Sequence, residues 1–270
     1  MTGPFGDGPV RLILDGGMST PQRDMELSTQ LLSDLARPEV AGRLRVHRPQ
    51  PTAAFSRLDT LAAGFPDAER AARTHGFEPV VRPAGGRLAA YHQGALVLDL
   101  VARHPAARDD FRARFAVLGQ CLVDGLQALG VPARVGAVPG EYCPGEFSVN
   151  AAGATKLVGT AQRLTRHGYL FSAVLLVSDP EPVRAVLTDT YALLGLAWRP
   201  ETVGCVAEHV PGITPPEVWQ ALLPRLRQIL ALSDDSEVTT TRSSPEAPSH
   251  GQPHDGREHD PDQVDEQLRR

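Results

Sequence analysis

The chain has 270 residues, 41% of them hydrophobic and 22% charged, with 25 Gly and 24 Pro, which is ample for one core of enzyme size. Its longest apolar run, Tyr169 to Val177, is about half of the roughly 18 residues a membrane span needs, and the Gly/Pro-rich opening Met1 to Pro9 lacks the basic residues of a secretion signal, so no membrane association and a cytoplasmic location are expected. Net charge is −5, but positions 233–270 hold ten acidic residues against four Arg, leaving a near-neutral body without the basic stripe that would bind nucleic acid.

Met25, Leu27, Leu31, Leu32 and Leu35 recur at helical spacing and predict a first helix over 24–35. Gly42 to Val46 reads as a short strand. Pro49, Pro51 and Ser56-Arg57 read as a long connection, and Pro66 to Thr74 as a second helix ending before Gly76. From Glu78 to Ala102, short extended runs alternate with turn residues in a strand and hairpin pattern. Asp109 to Leu129 places Phe111, Phe115, Leu118, Leu122, Leu126 and Leu129 on one stripe, closed by Gly130 and Pro132; Cys121 beside that stripe reads as a packed core thiol.

Val135 to Val177 is a second extended region, turning at Pro139-Gly140, Pro144-Gly145 and Gly153, with Tyr169 to Val177 suited to mid-sheet. Asp179 is placed to cap a helix running to Leu194, whose first turn tolerates Pro180 and Pro182. Thr214-Pro-Pro-Glu217 is a capping box opening a final helix to about Leu232. Beyond Ser233 the chain has too little apolar surface to offset the entropy of ordering, and His250, His254 and His259 there read as solvated, not as a metal tract. The expected organisation is a flexible N-terminus over 1–10, one domain over 11–232 and a disordered acidic tail over 233–270.

The three cysteines, Cys121, Cys143 and Cys205, have neither a disulfide framework nor zinc spacing, and no metal is expected. Of the 27 basic side chains, 26 are Arg and one is Lys, at position 156. A chain that has exchanged Lys for Arg nearly everywhere invites a chemical reason for the exception, because a compact ammonium with three rotatable donors is not imitated by a planar guanidinium.

Two motifs carry candidate chemistry. In Arg82-Pro-Ala-Gly85-Gly86-Arg87, followed by Tyr91-His92-Gln93-Gly94, paired glycines between two strands let a ligand approach backbone amides closely. In Gly140-Glu-Tyr-Cys143-Pro-Gly, Cys143 sits in a turn that can reach solvent, thirteen residues before Lys156. A thiol becomes a useful nucleophile when nearby positive charge lowers its pKa, and an ammonium opposite it could stabilise charge developing on an acyl oxygen.

The glycine motif with His92 and Gly94, together with Lys156-Leu-Val-Gly159-Thr-Ala-Gln162-Arg163, resembles the two signatures of the lipoate-protein ligase and octanoyltransferase superfamily, relatives of biotin protein ligase, over roughly 24–195. The resemblance implies a mixed α/β (α+β) domain over 11–232 with a largely antiparallel central sheet flanked by helices. It implies an acyl tunnel between the glycine loop and the lysine strand, with Lys156 as the family's lysine. Tyr142-Cys143-Pro144-Gly145 looks most like the cysteine-dependent branch, whose thioester-forming cysteine lies just upstream of the lysine. Catalysis then falls to Cys143 and Lys156, with Arg82, Gly85, Gly86, His92, Gly159 and Gln162 binding substrate, and Arg82 and Arg163 ordering loops or touching the carrier.

Transfer of an octanoyl or lipoyl group to a lysine of an acidic lipoyl carrier needs no cofactor; the implied carriers are the glycine-cleavage carrier and the E2 lipoyl domains of dehydrogenases. The ATP-dependent ligases typically carry a His-His-Gly triplet in the strand after the lysine segment, where this chain has Phe171-Ser172-Ala173. That departure counts against the alternative, a ligase using ATP and Mg. A third reading is a non-catalytic relative that binds acyl groups or carrier domains.

Overall fold

The computed structural model describes residues 3–6, 8–16 and 19–238. Strands β1 (Val10–Asp15), β2 (Gly42–His47), β6 (Ala95–Arg103), β7 (Ala133–Val135), β8 (Val149–Ala151), β9 (Thr155–Leu164), β10 (Gly168–Leu176) and β11 (Leu232–Val238) form one sheet in the order β11-β1-β2-β6-β10-β9-β8-β7. The β11/β1 and β1/β2 pairs are parallel and the rest antiparallel. A second sheet, β4-β3-β5, combines β3 (Thr52–Phe55), β4 (Glu78–Val81) and β5 (Ala89–Tyr91). The helices are α1 (Pro21–Asp34), α2 (Phe65–Thr74), α3 (Phe111–Ala128), α4 (Glu181–Leu193) and α5 (Pro215–Ile229). The expected class, a mixed and largely antiparallel sheet flanked by helices, is the observed one.

The central strand β6 shows how the core is built. Alternate residues face opposite sides of a strand: Leu96, Leu98, Leu100 and Ala102 join a core with Leu118 and Leu122 of α3 and Val218 and Leu222 of α5. On the opposite face Val97 meets Leu176, Val183, Leu187 and the small sheet, while Val101 packs with Leu32 and Leu35. Between Val97 and Val101 the apolar series is broken by buried Asp99, which accepts hydrogen bonds from Ser28 (2.6 Å) and Ser172 (2.5 Å).

Polar burial also sets the seating of α1. Its helix is capped by Thr20, whose Oγ1 accepts from the Arg23 amide, but its buried face runs through Pro21, Asp24, Ser28 and Leu32, so that of the predicted stripe Leu32 and the C-cap Leu35 are buried while Met25, Leu27 and Leu31 are half-buried. Arg45 on β2 reaches both Asp24 (2.5 Å) and Asp15 (2.7 Å), all three out of solvent. Charge pairing in the interior therefore outranks hydrophobic periodicity here, since an unpaired buried charge is far costlier than a half-covered leucine.

The remaining departures have equally local causes. The N-terminal segment expected to be flexible is fastened where described: Phe5 joins the main core, and the carbonyls of Pro4 and Phe5 accept from Arg114 and Tyr169. Val10 then begins β1, a strand the pattern did not reveal. The connection expected around Pro49 to Arg57 contains β3, whose four residues are all buried. The run from Glu78 to Ala102 is not a string of hairpins, because β4 and β5 both pair with β3 and not with each other. Asp179 does not cap α4; it takes a left-handed φ of 54° and offers its carbonyl to His92. The capping box at Thr214 and Glu217 is present. Where the tail was expected to begin, Leu232–Val238 pairs with β1 as a strand; the rest, with His250, His254 and His259, lies outside the described residues.

Among the described residues no helix is long and apolar enough to cross a membrane, and no group of three His, Cys, Asp or Glu side chains could hold a metal ion. The tightest backbone approach in the sheet lies at Gly168, where a Cβ would stand 2.1 Å from the Ala102 carbonyl oxygen on β6. Gly168→Ala is expected to lose about 1–3 kcal/mol, the usual cost of overpacking. Urea denaturation reads this as a lower midpoint at unchanged slope; an unshifted midpoint would show the β6/β10 pairing is looser than described.

Candidate active site

Residues 136–148 link β7 to β8 and carry Cys143. The loop turns at Gly140 (φ 83°), and Cys143 itself adopts φ 40°, a conformation that a residue with a side chain keeps only when its surroundings impose it. Three contacts do so. The Cys143 amide donates to the Tyr191 hydroxyl (2.7 Å), which donates to the Leu88 carbonyl (2.9 Å), binding the loop to α4 and to the approach of β5. Glu141 Oε1 accepts from the amides of Val138 and Gly145 and closes the turn on itself. Lys156, on β9, donates to the carbonyls of Tyr142 (3.0 Å) and Cys143 (2.9 Å) and pairs with Glu141 Oε2 (3.2 Å).

Lys156 is 2% exposed, its ammonium lies 4.6 Å from the Tyr142 ring centroid, and it is hydrogen-bonded to two carbonyls and ion-paired with Glu141. The segment after α4 seals it from behind, where the Gly204 amide donates to the Lys156 carbonyl. A planar guanidinium could not aim donors at these three divergent oxygens in so small a space, which accounts for the single lysine among the basic residues.

The glycine loop lies across the sulfur. Arg82 leaves β4 and sends Nη2 to the Arg87 carbonyl (2.7 Å) and to Cys143 Sγ (3.4 Å), while the Arg87 amide donates to the same sulfur (3.2 Å). The Arg87 side chain is tied back to buried Asp59 (3.4 Å). Gly86 has φ 103°, and a Cβ there would stand 2.5 Å from Arg82 Nη2 and 2.8 Å from Sγ, whereas a Cβ at Gly85 meets nothing within 4 Å. Of the two glycines, only Gly86 is required by the space. Burial pushes the Cys143 thiol up, but the charges of Arg82 and Lys156 and the hydrogen bonds from Arg87 and Arg82 outweigh it, so the thiol lies below its ordinary value. Cys121 behaves oppositely: without such partners, burial pushes it up to about 12, as expected of a core thiol.

Sulfur, glycine loop and lysine border one cavity of about 350 Å³, within the range of small-molecule sites. Its walls are Ala89 and Ala90 of β5, Phe111 and Phe115 of α3, Phe147, Ala161 and Val174, with Ser172 and Thr160 among the few polar groups. Phe115 stacks on Phe147 at 4.9 Å, joining helix to loop. Arg82, Gly85, Gly86, Cys143, Lys156, Gly159 and Gln162 are brought together here, as expected. Gln162 serves as wall, accepting from Arg114 and donating to the Phe111 carbonyl. Arg163 orders the glycine loop through the Pro83 carbonyl.

His92 is not brought to the cavity. Both its ring nitrogens are engaged with backbone, the Gly94 amide at one and the Asp179 carbonyl at the other. Cys143 rides a turn and Lys156 lies on a strand, the placement the sequence indicates. Tyr191 and Asp59 were not singled out in the sequence: they lie 48 and 84 residues from Cys143, and no local pattern points from one to the other; Arg87 closes the glycine motif, but it reaches the sulfur through its backbone amide, which its side chain does not announce.

The family described as lipoyl protein ligase A/B catalytic domain matches residues 20–227. An octanoyl-GcvH:protein N-octanoyltransferase of Exiguobacterium sibiricum is 30% identical over 164 residues, 59% of this chain and 56% of its own length. One of the same description from Geobacillus kaustophilus is 26% identical over 148 residues, 53% and 50% of the two chains. The aligned region thus spans about half the length of these curated relatives. Among solved structures, a bipartite archaeal lipoate protein ligase with its E2 lipoyl domain, from Thermoplasma acidophilum, is similar with TM-score 0.63 and 20% identity over 87% of this chain and 89% of that one. A lipoate-protein ligase A bound with ATP has TM-score 0.61 and 18% identity over 87% and 90%. At these identities the structures establish the fold.

Gly86→Ala is expected to force Arg82 and the sulfur apart and to slow iodoacetamide alkylation of Cys143 at neutral pH at least tenfold, while Gly85→Ala leaves it within a factor of about two, consistent with the contrast between a filled and an open site. Equal rates in the two variants would contradict the close packing of the glycine loop on the sulfur.

Proposed function

The chain belongs to the lipoyl protein ligase A/B catalytic-domain family, and we propose that within it this protein is a cysteine-dependent acyltransferase, moving an octanoyl or lipoyl group onto a lysine of a lipoyl carrier domain. The observation that carries this reading is the sulfur of Cys143, held under positive charge at the edge of an apolar cavity. A thiol in that setting is a nucleophile in search of an acyl group, whereas a structural thiol is raised in pKa and walled off. The aromatic and alanine walls suit a saturated chain, and Arg82 and Lys156 border the cavity with the sulfur, where the carbonyl would lie.

In the first half-reaction the Cys143 thiolate attacks the carbonyl carbon of an acylated donor lysine. The tetrahedral intermediate collapses by breaking the carbon–nitrogen bond, and the departing amine takes a proton from solvent. A thioester remains on the enzyme. In the second half-reaction the free amine of an acceptor lysine attacks that thioester, the carbon–sulfur bond breaks, and the proton taken up earlier is returned as the thiolate is restored. The similarity to two octanoyl-GcvH:protein N-octanoyltransferases supports a carrier-bound octanoyl donor. The carriers proposed are acidic lipoyl domains of the glycine-cleavage and dehydrogenase E2 kinds. The free thiols of Cys121, Cys143 and Cys205 suit a reducing cytoplasm.

Activation by ATP and Mg fits the donor set less well. Lys156 is engaged by Glu141 and two carbonyls, and Arg82 Nη2 by sulfur and the Arg87 carbonyl, so a nucleotide phosphate would have to compete with these contacts. The strand that would carry the His-His-Gly triplet presents Ser172 to the cavity, with its hydroxyl donated to Asp99. No step is therefore assigned to a nucleotide.

Incubation with an octanoylated carrier should give an enzyme mass increase equal to one octanoyl group that hydroxylamine removes, and Cys143→Ala should abolish both this adduct and transfer to an acceptor. Undiminished transfer by Cys143→Ala, with ATP or without it, would reject the thioester route.

A further inference from the structure

In the family pattern the lysine is the natural partner for the acyl oxygen, but the ammonium of Lys156 is already hydrogen-bonded to the Tyr142 and Cys143 carbonyls and ion-paired with Glu141 Oε2. Withdrawing it would strand a buried carboxylate and release the turn that carries the nucleophile. Two other donors already point at the reacting sulfur: Arg82 Nη2 at 3.4 Å and the Arg87 amide at 3.2 Å. The oxygen that gains charge during attack is bonded to the very carbon that bonds to Sγ, so it develops within reach of both.

We infer that the Arg82 guanidinium and the Arg87 backbone N–H form the oxyanion site for the carbonyl attacked by Cys143, and that Lys156 is a positioning residue that holds the loop. The inference rests on the acyl-transfer reading and deepens it. As the sulfur lone pair forms the carbon–sulfur bond, the carbonyl π pair moves to oxygen. Negative charge travels from Sγ to that oxygen, and the two donors follow it over a short distance, so the site stabilises the same charge before and after attack. Gly86 is the condition for this, since any side chain there would stand between Arg82 and Sγ. Asp59 supports it by holding the Arg87 side chain from behind.

The ionisable groups facing Sγ come from four directions: Arg82 and Arg87 from the glycine loop, Lys156 from β9, Tyr142 from its own loop and Tyr191 from α4, with Glu141 neutralising Lys156. Burial holds both phenols above their ordinary range, while the charges of Arg82 and Lys156 hold the thiol below its own.

The test uses the full chain with p-nitrophenyl octanoate as acyl donor, following single-turnover acylation by intact mass across the pH range that ionises the thiol, for wild type, Arg82→Gln and Arg82→Lys. Iodoacetamide alkylation of the same proteins reads the thiol midpoint, and circular dichroism with thermal unfolding checks that each variant keeps the wild-type fold. Arg82→Gln should raise the midpoint, and its acylation plateau, where the thiol is fully ionised, should remain about 10²–10³-fold below wild type, the usual loss of an oxyanion donor. Arg82→Lys should restore the midpoint but not the full plateau, because the forked geometry is lost. If Arg82→Gln reaches the wild-type plateau, Arg82 acts on ionisation alone and the inference is overturned by itself. A wild type that alkylates at Cys143 yet accepts no octanoyl group would overturn the acyl-transfer reading and this inference together.

Discussion

The ammonium of Lys156 is the contact on which the site depends. It is buried against Glu141 and two carbonyls of the turn that ends in Cys143, and its burial is tolerable because the carboxylate pairs its charge and the carbonyls accept its hydrogen bonds. Removing one partner of such a pair leaves an uncompensated charge in the interior, typically at a cost of about 3–5 kcal/mol. The consequence is geometric as much as energetic: with the loop clamped from β9 below and from Tyr191 of α4 at its side, Cys143 is kept in a left-handed conformation it would otherwise leave.

That constraint converts a flexible link between two short strands into a fixed support for sulfur. The glycine loop then completes the arrangement from the opposite side, placing one full positive charge and one amide dipole on Sγ. Both pieces are needed, because burial alone would push the thiol up, as it does at Cys121. The apolar cavity beside the sulfur has its own support in α3, whose Phe111 and Phe115 form wall and whose Arg114 fixes Gln162 on β9. Fold and site are thus joined through a few side chains that bridge elements, most of them not on the cavity surface.

Much of this was legible in the sequence where one residue carried its own signal. A lone lysine in an arginine-rich chain, a cysteine in a Pro-Gly turn and a stripe of phenylalanines and leucines each pointed to the part they take in the structure. What was hidden depended on partners far away in sequence. Asp24 and Ser28 occupy the buried face of α1 because Arg45 and Asp99 are there to receive them, and no periodicity shows that. His92 looked like part of a ligand loop but is consumed by the backbone at Gly94 and Asp179. Gly85 and Gly86 were indistinguishable as letters, yet only the second is demanded by the sulfur. The short buried strand β3 escaped because four residues between a proline and a polar turn carry too little pattern.

The account stands or falls on the charge state of one sulfur. Ultraviolet absorbance of the thiolate, recorded against pH for the wild type and corrected by subtracting Cys143→Ala, measures it without substrate or partner. The structure predicts a midpoint below that of an unperturbed thiol, because the thiolate is held by Arg82, Lys156 and the Arg87 amide. A midpoint at or above that value would mean burial prevails at Cys143 and that the site does not prepare a nucleophile.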